Sequence, residues 1–333
     1  MQVSKQNFRV QLVITVLSVV LFAAKIIAYY VTHSVAILSD ALESVVNVTA
    51  GFIGLYALYI AAKPKDVEHP YGHGKAEFVS AAVEGTLIVA SGFLIIYQTV
   101  ASLIEHKPIE SLDTGIVLVV ITAIINFIAG SICISVGKRN RSLALQASGK
   151  HLQIDTYSTI AIVAGLLVIV ITRFYWLDKV IAIIISIIIL FNGYKIIRAS
   201  LAGIMDEADM QLLKKFVLEL DKHKKDNWID LHNLRVIKYG TTLHIDCHLT
   251  IPWYLNIHQA HEEIDALEAL IIQTFGDAVE LFVHTDGCLP FSCSICGVAN
   301  CKERQHPFKR RLEWTLANIL SNEKHNAGSM NNE

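Results

Sequence analysis

Six apolar stretches, each long enough to cross a bilayer, fill most of the first 205 residues and constrain the fold more than any other feature. They run over residues 10–31, 35–62, 76–104, 114–136, 147–171 and 180–197. A spanning helix needs about 20 mostly apolar residues. Inside hydrocarbon no water can satisfy a backbone that is not hydrogen-bonded to itself, so such stretches must be helical. Residues 1–205 are therefore expected to form an all-α, six-helix transmembrane domain. The first stretch follows Lys5 and Arg9 and shares that pattern with a signal peptide. It is long for one and lacks a convincing cleavage site.

Charge divides the chain at the same place. Only 26 of the 58 charged residues precede position 206, so the front is oily and the back ordinary. The whole chain is 17% charged with a mean hydropathy of +0.47, which excludes a disordered tail, a coiled coil and a typical cytosolic enzyme. A net charge of −2 argues against a nucleic-acid partner held by bulk positive charge. The basic residues also set an orientation. Lys5 and Arg9 precede the first span, Lys63, Lys65 and Lys75 lie between the second and third, and Lys138, Arg139, Arg141 and Lys150 lie between the fourth and fifth. Arg198 follows the sixth, and the alternate connectors carry fewer basic residues. The positive-inside rule places both termini in the cytoplasm.

The cytoplasmic tail reads α-β-β-α-β over residues 206–287. The spacing predicts helices at 206–224 and 256–275 and strands at 229–239, 243–251 and 279–284, with Gly240 at the turn. That order suits a small sheet with helices on one face. Residues 288–333 read as a Cys-rich extension with a short helix near 310–320 and a polar, disordered end.

Ionisable residues inside the oil need a reason, since each costs roughly 3 kcal/mol on insertion scales. Asp40, Glu43 and Asn47 are spaced i, i+3, i+7 and line one face of the second span. His151 and Asp155 are spaced i, i+4 and share a face of the fifth. Two helices that each present a ligand pair are able to close a four-coordinate cation site. The imidazole favours a transition metal over Mg²⁺ or Ca²⁺. The alternative is that these residues only hydrogen-bond the helices together. Asp66, His69 and His73, between the second and third spans, are candidate ligands at the cytoplasmic surface or a solvated polar loop.

The cysteines divide unevenly. Cys133 and Cys247 read as small core residues. Cys288, Cys293, Cys296 and Cys301 follow a C-x4-C-x2-C-x4-C pattern, with His306 five residues on as a substitute ligand. A cytoplasmic location argues against disulfides. A tetrahedral structural Zn²⁺ site, free thiols and a redox switch all remain open.

These residues resemble the cation diffusion facilitator family of divalent metal/proton antiporters over roughly residues 8–288. The most specific elements are the paired membrane ligands, the His-Pro-Tyr-Gly-His-Gly-Lys-Ala-Glu loop at 69–77 and the Val-His-Thr-Asp end of the last strand at 283–286. The resemblance implies a homodimer in a lipid bilayer, with ferredoxin-like, metallochaperone-like tails. It places the transport site on Glu43, Asn47, His151 and Asp155, and a second site on Asp66, His69 and His73. It places a tail site on His232, His248, His261, His284 and Asp286, and a salt bridge at the dimer junction on Lys75 and Asp206. The family usually carries Asp at the position of Asn47 and His or Asp at that of Glu43. Asp40, one turn earlier, is the candidate to restore the missing charge.

The implied activity is export of a divalent cation, Zn²⁺ foremost and Fe²⁺, Mn²⁺, Co²⁺ or Cd²⁺ as alternatives, against protons. A bound cation requires neutral His151 and ionised Glu43 and Asp155, so metal and protons compete for the same ligands. The competing class is a membrane-anchored metal sensor, which needs no ligands inside the bilayer. No enzyme motif is present: His261-Glu262-Glu263 lacks the second His of a zinc-protease helix. The short connectors suit a bacterial plasma membrane.

Overall fold

The computed structural model describes residues 2–32, 35–104, 115–172 and 176–328. It divides into two compact units, Met1–Met205 and Asp206–Glu333.

The first unit is six long helices: α1 (Gln2–Thr32), α2 (Val35–Ala61), α3 (Ala76–Ile104), α4 (Gly115–Arg139), α5 (Leu143–Thr172) and α6 (Trp176–Ile204). Several outrun their apolar stretches. With 31 residues, α1 is about 46 Å long at 1.5 Å per residue, against a hydrocarbon core of about 30 Å. Among the described residues, five helices are long and apolar enough to cross a membrane, and α5 is not one of them. Its first half carries Gln146, Lys150, His151, Gln153 and Asp155, and most of its apolar second half lies outside the described side chains.

The packing is inside-out relative to a soluble bundle. Val13, Ile27, Phe52, Phe93, Ile124 and Phe191 are more than half exposed on the outside, whereas Asn7, Gln11, Glu84 and Ser186 are fully buried. That distribution suits lipid as the solvent. The helices pack chiefly as α1 on α2, α3 on α6 and α4 on α5. The α4–α5 contact is set by two glycines that face each other. A Cβ on Gly130 would fall 2.7 Å from the Gly149 carbonyl oxygen, and a Cβ on Gly149 would fall 2.7 Å from that of Gly130. Small residues of this kind let membrane helices approach closely. Gly149 lies just before His151, so this contact seats the start of the face that carries His151 and Asp155. Cys133 is fully buried beside it, a core residue as expected.

The second unit is a three-stranded mixed sheet in the order β1-β2-β3. β1 (Asp230–Tyr239) and β2 (Thr242–Ile251) form an antiparallel hairpin, and β3 (Val279–Gly287) pairs parallel to β2. Gly240 takes a φ of 60° at the hairpin turn, a conformation open to glycine at no steric cost. The connection from β2 to β3 runs through α8 (Ile257–Phe275), and α7 (Met210–Lys222) precedes the sheet. α7 starts later than residue 206 because Asp209 caps it, accepting the N–H groups of Gln211 and Leu212 at 3.0 Å each. Leu243, Ile245, Cys247, Leu249 and Ile251 alternate along β2 and enter a core with Phe216, Leu267 and Ile271. Phe216 of α7 stacks on Phe275 of α8 with ring centroids 4.1 Å apart. Burial pushes the Cys247 thiol up to about 12, which makes it an inert core residue.

The extension departs from its sequence expectation. The helix expected near 310–320 is only α9 (Leu316–Leu320). The residues before it run extended because their backbone groups have partners elsewhere. Lys309 and Arg310 donate N–H groups to the Ser294 carbonyl at 2.9 and 3.3 Å, and Trp314 donates to Asp221 Oδ1 at 2.9 Å. Leu312 and Trp314 are thereby buried in the core. Nor are the described residues after α9, 321–328, free, and the rest of the expected disordered end, 329–333, lies outside the described residues. Asn233 donates to the Ser321 carbonyl at 2.6 Å, His325 donates its N–H to Asp230 Oδ2 at 2.9 Å, and Ala327 donates to Ser294 Oγ at 3.3 Å.

Candidate metal centres

Within the bundle, α2 and α5 bring Asn47 and Asp155 into contact. Asn47 Nδ2 donates to Asp155 Oδ2. His151, one turn before Asp155, is 5% exposed. Among the described residues, Asn47 Oδ1 and His151 Nδ1 are buried here without a hydrogen-bond partner. An unsatisfied buried polar atom costs about 1–3 kcal/mol, so a cation or proton supplied to this site has a free-energy gradient to enter. Asp40 and Glu43 belong to α2, but their side chains lie outside the described residues.

Among the described residues, two groups bring three ligand atoms within 4.8 Å of one another. The first is Asp66, His69 and His73 in the α2–α3 loop. His69 Nδ1 lies 3.0 Å from Asp66 Oδ1, and His73 Nε2 lies 3.4 Å from Asp66 Oδ2. Gly72, with a φ of 89°, folds the loop back. The backbone N–H of His69, above all, holds the Asp66 carboxyl below its ordinary value, so it is ionised and ready for a cation.

The second group is His232, His248 and Asp286. The sheet register explains it. His232 pairs with His248, and His248 pairs with His284, so three imidazoles lie in one row across three strands. One step along, Asp230 pairs with Thr250 and Thr250 with Asp286. Strand alternation puts all six on the face opposite the helical core. The His232 and His248 rings are 5.1 Å apart, those of His248 and His284 4.5 Å. Burial keeps His232 below its ordinary pKa, despite Asp230 and Asp286 beside it, so its neutral, metal-binding form prevails at neutral pH. His284 joins the row at the exposed end. His261 does not join it: it sits on the exposed face of α8, 3.6 Å from Asp265.

Lys75 donates to the Ile204 carbonyl at 3.4 Å, two residues before Asp206. Asp206 opens the second unit in the left-handed region, at φ 56°.

Several polar residues escaped the sequence reasoning. Glu84 of α3 is completely buried, accepts from Ser148 of α5 at 2.7 Å, and has no partner for Oε2 among the described residues. The signal was visible, since Glu84 is an acid inside an apolar run. In the tail, Asp230 lies 3.5 Å from His232 and 3.0 Å from His325, and Lys324 lies 2.9 Å from Asp286. Strand alternation would have found Asp230. Nothing local marks Lys324 or His325, because the contact spans the whole extension.

Two family models account for most of the chain. The cation efflux transmembrane domain matches residues 11–205, and the cation efflux protein cytoplasmic domain matches residues 206–288. The chain belongs to the cation efflux, or cation diffusion facilitator, family. An uncharacterised transporter of Synechocystis sp. is 32% identical over 253 residues, covering 75% of this chain and 80% of the relative. The cation-efflux pump FieF of Shewanella oneidensis is 27% identical over 272 residues, 80% of this chain and 89% of the relative. FieF of Salmonella choleraesuis is 28% identical over 289 residues, 84% and 92%. As a cation efflux family member, the chain is a multi-pass membrane transporter of metal cations with a cytoplasmic domain of the dimerising type.

The remaining cluster falls almost wholly beyond the family match. Cys288, Cys293, Cys296 and Cys301 are all free thiols and line one cavity of about 40 Å³. His306, the expected substitute ligand, is exposed and is not among the residues lining it.

Proposed function

We propose that this transporter exports a divalent transition-metal cation, Zn²⁺ foremost, from the cytoplasm in exchange for protons, as a homodimer in a bacterial plasma membrane with both termini inside. The observation that carries the proposal is the α2–α5 constellation: Asp155 held by the Asn47 amide, with Asn47 Oδ1 and His151 Nδ1 buried and unsatisfied.

Each residue has a role. Asp155 supplies negative charge to the cation. Asn47 holds that carboxylate in place and offers a neutral carbonyl oxygen. His151 supplies the nitrogen that favours Zn²⁺ over a hard cation. Glu43, with Asp40 one turn earlier, is assigned the second negative charge. A cation binds only when His151 is neutral and the carboxylates are ionised, so its arrival displaces protons and their return expels it. An imidazole titrates near pH 6.5 when unperturbed, within reach of the pH on either side of the membrane. A bundle that exposes the site alternately to each side converts this competition into exchange. Lys75 and Asp206 are assigned to the dimer junction, and Asp66, His69 and His73 to capture of the cation at the cytoplasmic surface. His232, His248, His284 and Asp286 are assigned to metal-dependent closure of the tails. His261 belongs to that set only through the family resemblance.

Expression in a zinc-sensitive bacterial host tests the proposal. The wild-type chain lowers cell zinc and restores growth, and Asp155→Ala, at equal membrane abundance, does neither. A host that stays sensitive and zinc-loaded with the wild-type chain overturns export, as expected of a sensor without its partner. Full rescue by Asp155→Ala overturns the site.

A further inference from the structure

The transport reading leaves the cysteine cluster unused, and its surroundings are built around sulfur. Three segments converge on it. Cys288 follows β3 directly and prolongs the ladder, its N–H donating to the Ile251 carbonyl at 2.9 Å. Cys293 lies in a 3-10 turn at Pro290–Ser294. Cys296 packs into the hydrophobic core of the unit, and Cys301 lies on the return of the same loop.

Polar groups of the loop surround the sulfurs. The Gln305 N–H lies 3.5 Å from Cys293 Sγ. Arg304 clamps the loop, donating to the carbonyls of Cys293, Cys296 and Val298 at 2.9, 3.2 and 2.6 Å. Its guanidinium stands beside the cavity, which Glu303 and Gln305 also line. A pair of thiols forming a disulfide would need none of this. Four cysteines lining one cavity, with a guanidinium alongside, supply the ligands for four thiolates on one dication once their side chains turn in toward it. That centre carries a net charge of −2, which Arg304 and the Gln305 N–H offset. Without a dication the same four groups repel one another when ionised, and burial first and neighbouring sulfurs second push the Cys288 and Cys296 thiols up.

We propose that Cys288, Cys293, Cys296 and Cys301 form a closed thiolate site for one Zn²⁺ per chain, a structural centre distinct from the transported cation. Binding releases the four thiol protons to solvent and forms four Zn–S bonds, with no redox change. All four positions are filled by protein, so no open position remains for exchange or catalysis. The ion fastens the extension to the end of β3, and with it the segment that carries Lys324 and His325 to the sheet.

The test uses the full-length chain in detergent, stripped with a chelator under reducing conditions, with Co²⁺ as the probe. The sites of His and carboxylate ligands give no sulfur-to-cobalt charge transfer. The expected result is a near-ultraviolet charge-transfer band that saturates at one Co²⁺ per chain. One equivalent of Zn²⁺ bleaches it, and the Cys293→Ser/Cys296→Ser double variant lacks it. In the wild type, Zn²⁺ also protects the four thiols from a chromogenic disulfide reagent. No band together with unprotected thiols in the wild type overturns the proposal, whether or not the serine variant folds. So does a band that survives in the double variant, or a Zn²⁺-insensitive disulfide among the four after gentle purification. Failure of zinc export in cells leaves these readouts untouched, so the two proposals fail separately.

Discussion

At the scale of single residues, the tail cluster has a feature the family resemblance does not cover: an ammonium on its carboxylate. Lys324 sits 2.9 Å from Asp286 Oδ1, and His248 and His232 approach the other oxygen at 3.3 and 3.6 Å. Partial burial pulls the Asp286 carboxyl up, but the Lys324 hydrogen bond and charge outweigh it and hold the group below its ordinary value. A carboxyl with a lowered folded-state pKa contributes stability that is full above its unfolded value, about pH 4, and is lost as pH falls through the folded one. Lys324→Ala should therefore lower stability at pH 6, and the gap to wild type should close as the medium is acidified below pH 4. Urea unfolding of the full chain at several pH values, followed by tryptophan fluorescence, reads this directly. A gap of constant size would mean that the pair contributes packing only. Asn47 is the other residue whose meaning changed. The sequence marks it as a weakened ligand, whereas the structure shows it holding Asp155, a role legible only once α2 and α5 face each other.

At the scale of elements, the α4–α5 contact depends on Gly130 and Gly149. A methyl at Gly149 would meet the Gly130 carbonyl at 2.7 Å and Cys133 Cβ and Ile134 Cγ1 at 2.8 Å. Backbone cannot swing aside as a flexible side chain does, so Gly149→Ala forces α4 and α5 apart. Overpacking of this kind costs about 1–3 kcal/mol. Thermal unfolding in detergent should shift downward and metal flux should fall with it, and an unshifted transition would show that the two helices do not touch there. The extension makes a second element-scale prediction. Trp314 is 3% exposed in the core of the second unit. Trp314→Ala should cost about 3–5 kcal/mol, a loss visible in the same unfolding experiment, and no loss would show that the extension is a loose appendage. The apolar runs and the β2 alternation made most of the fold legible, because both are local patterns. The extension was not legible, because Leu312 and Trp314 fit a helical spacing as well as the extended path they take. Partners distant in the chain, Asp221 and Ser294, decide between the two. The same reason hid Lys324 and His325. His261 matched by resemblance but lies on an exposed helix face, where no local signal separates a ligand from a solvated imidazole.

At the scale of the whole molecule, the chain joins an oily unit with buried candidate ligands and a cytoplasmic unit with a second candidate set. Under the proposed function, the membrane unit binds the cation where desolvation makes protons compete with it. The cytoplasmic unit presents a row of imidazoles set by strand register. The central claim is that the α2–α5 site carries a divalent cation against protons. It is tested most directly by Zn²⁺ flux in proteoliposomes, with and without an imposed pH gradient, for the wild type and Asp155→Ala. The wild type should move Zn²⁺ at a rate that follows the gradient and should dissipate that gradient as it does so, and Asp155→Ala should fall to the rate of protein-free vesicles. Wild-type flux in Asp155→Ala, or wild-type flux indifferent to the gradient, would contradict it.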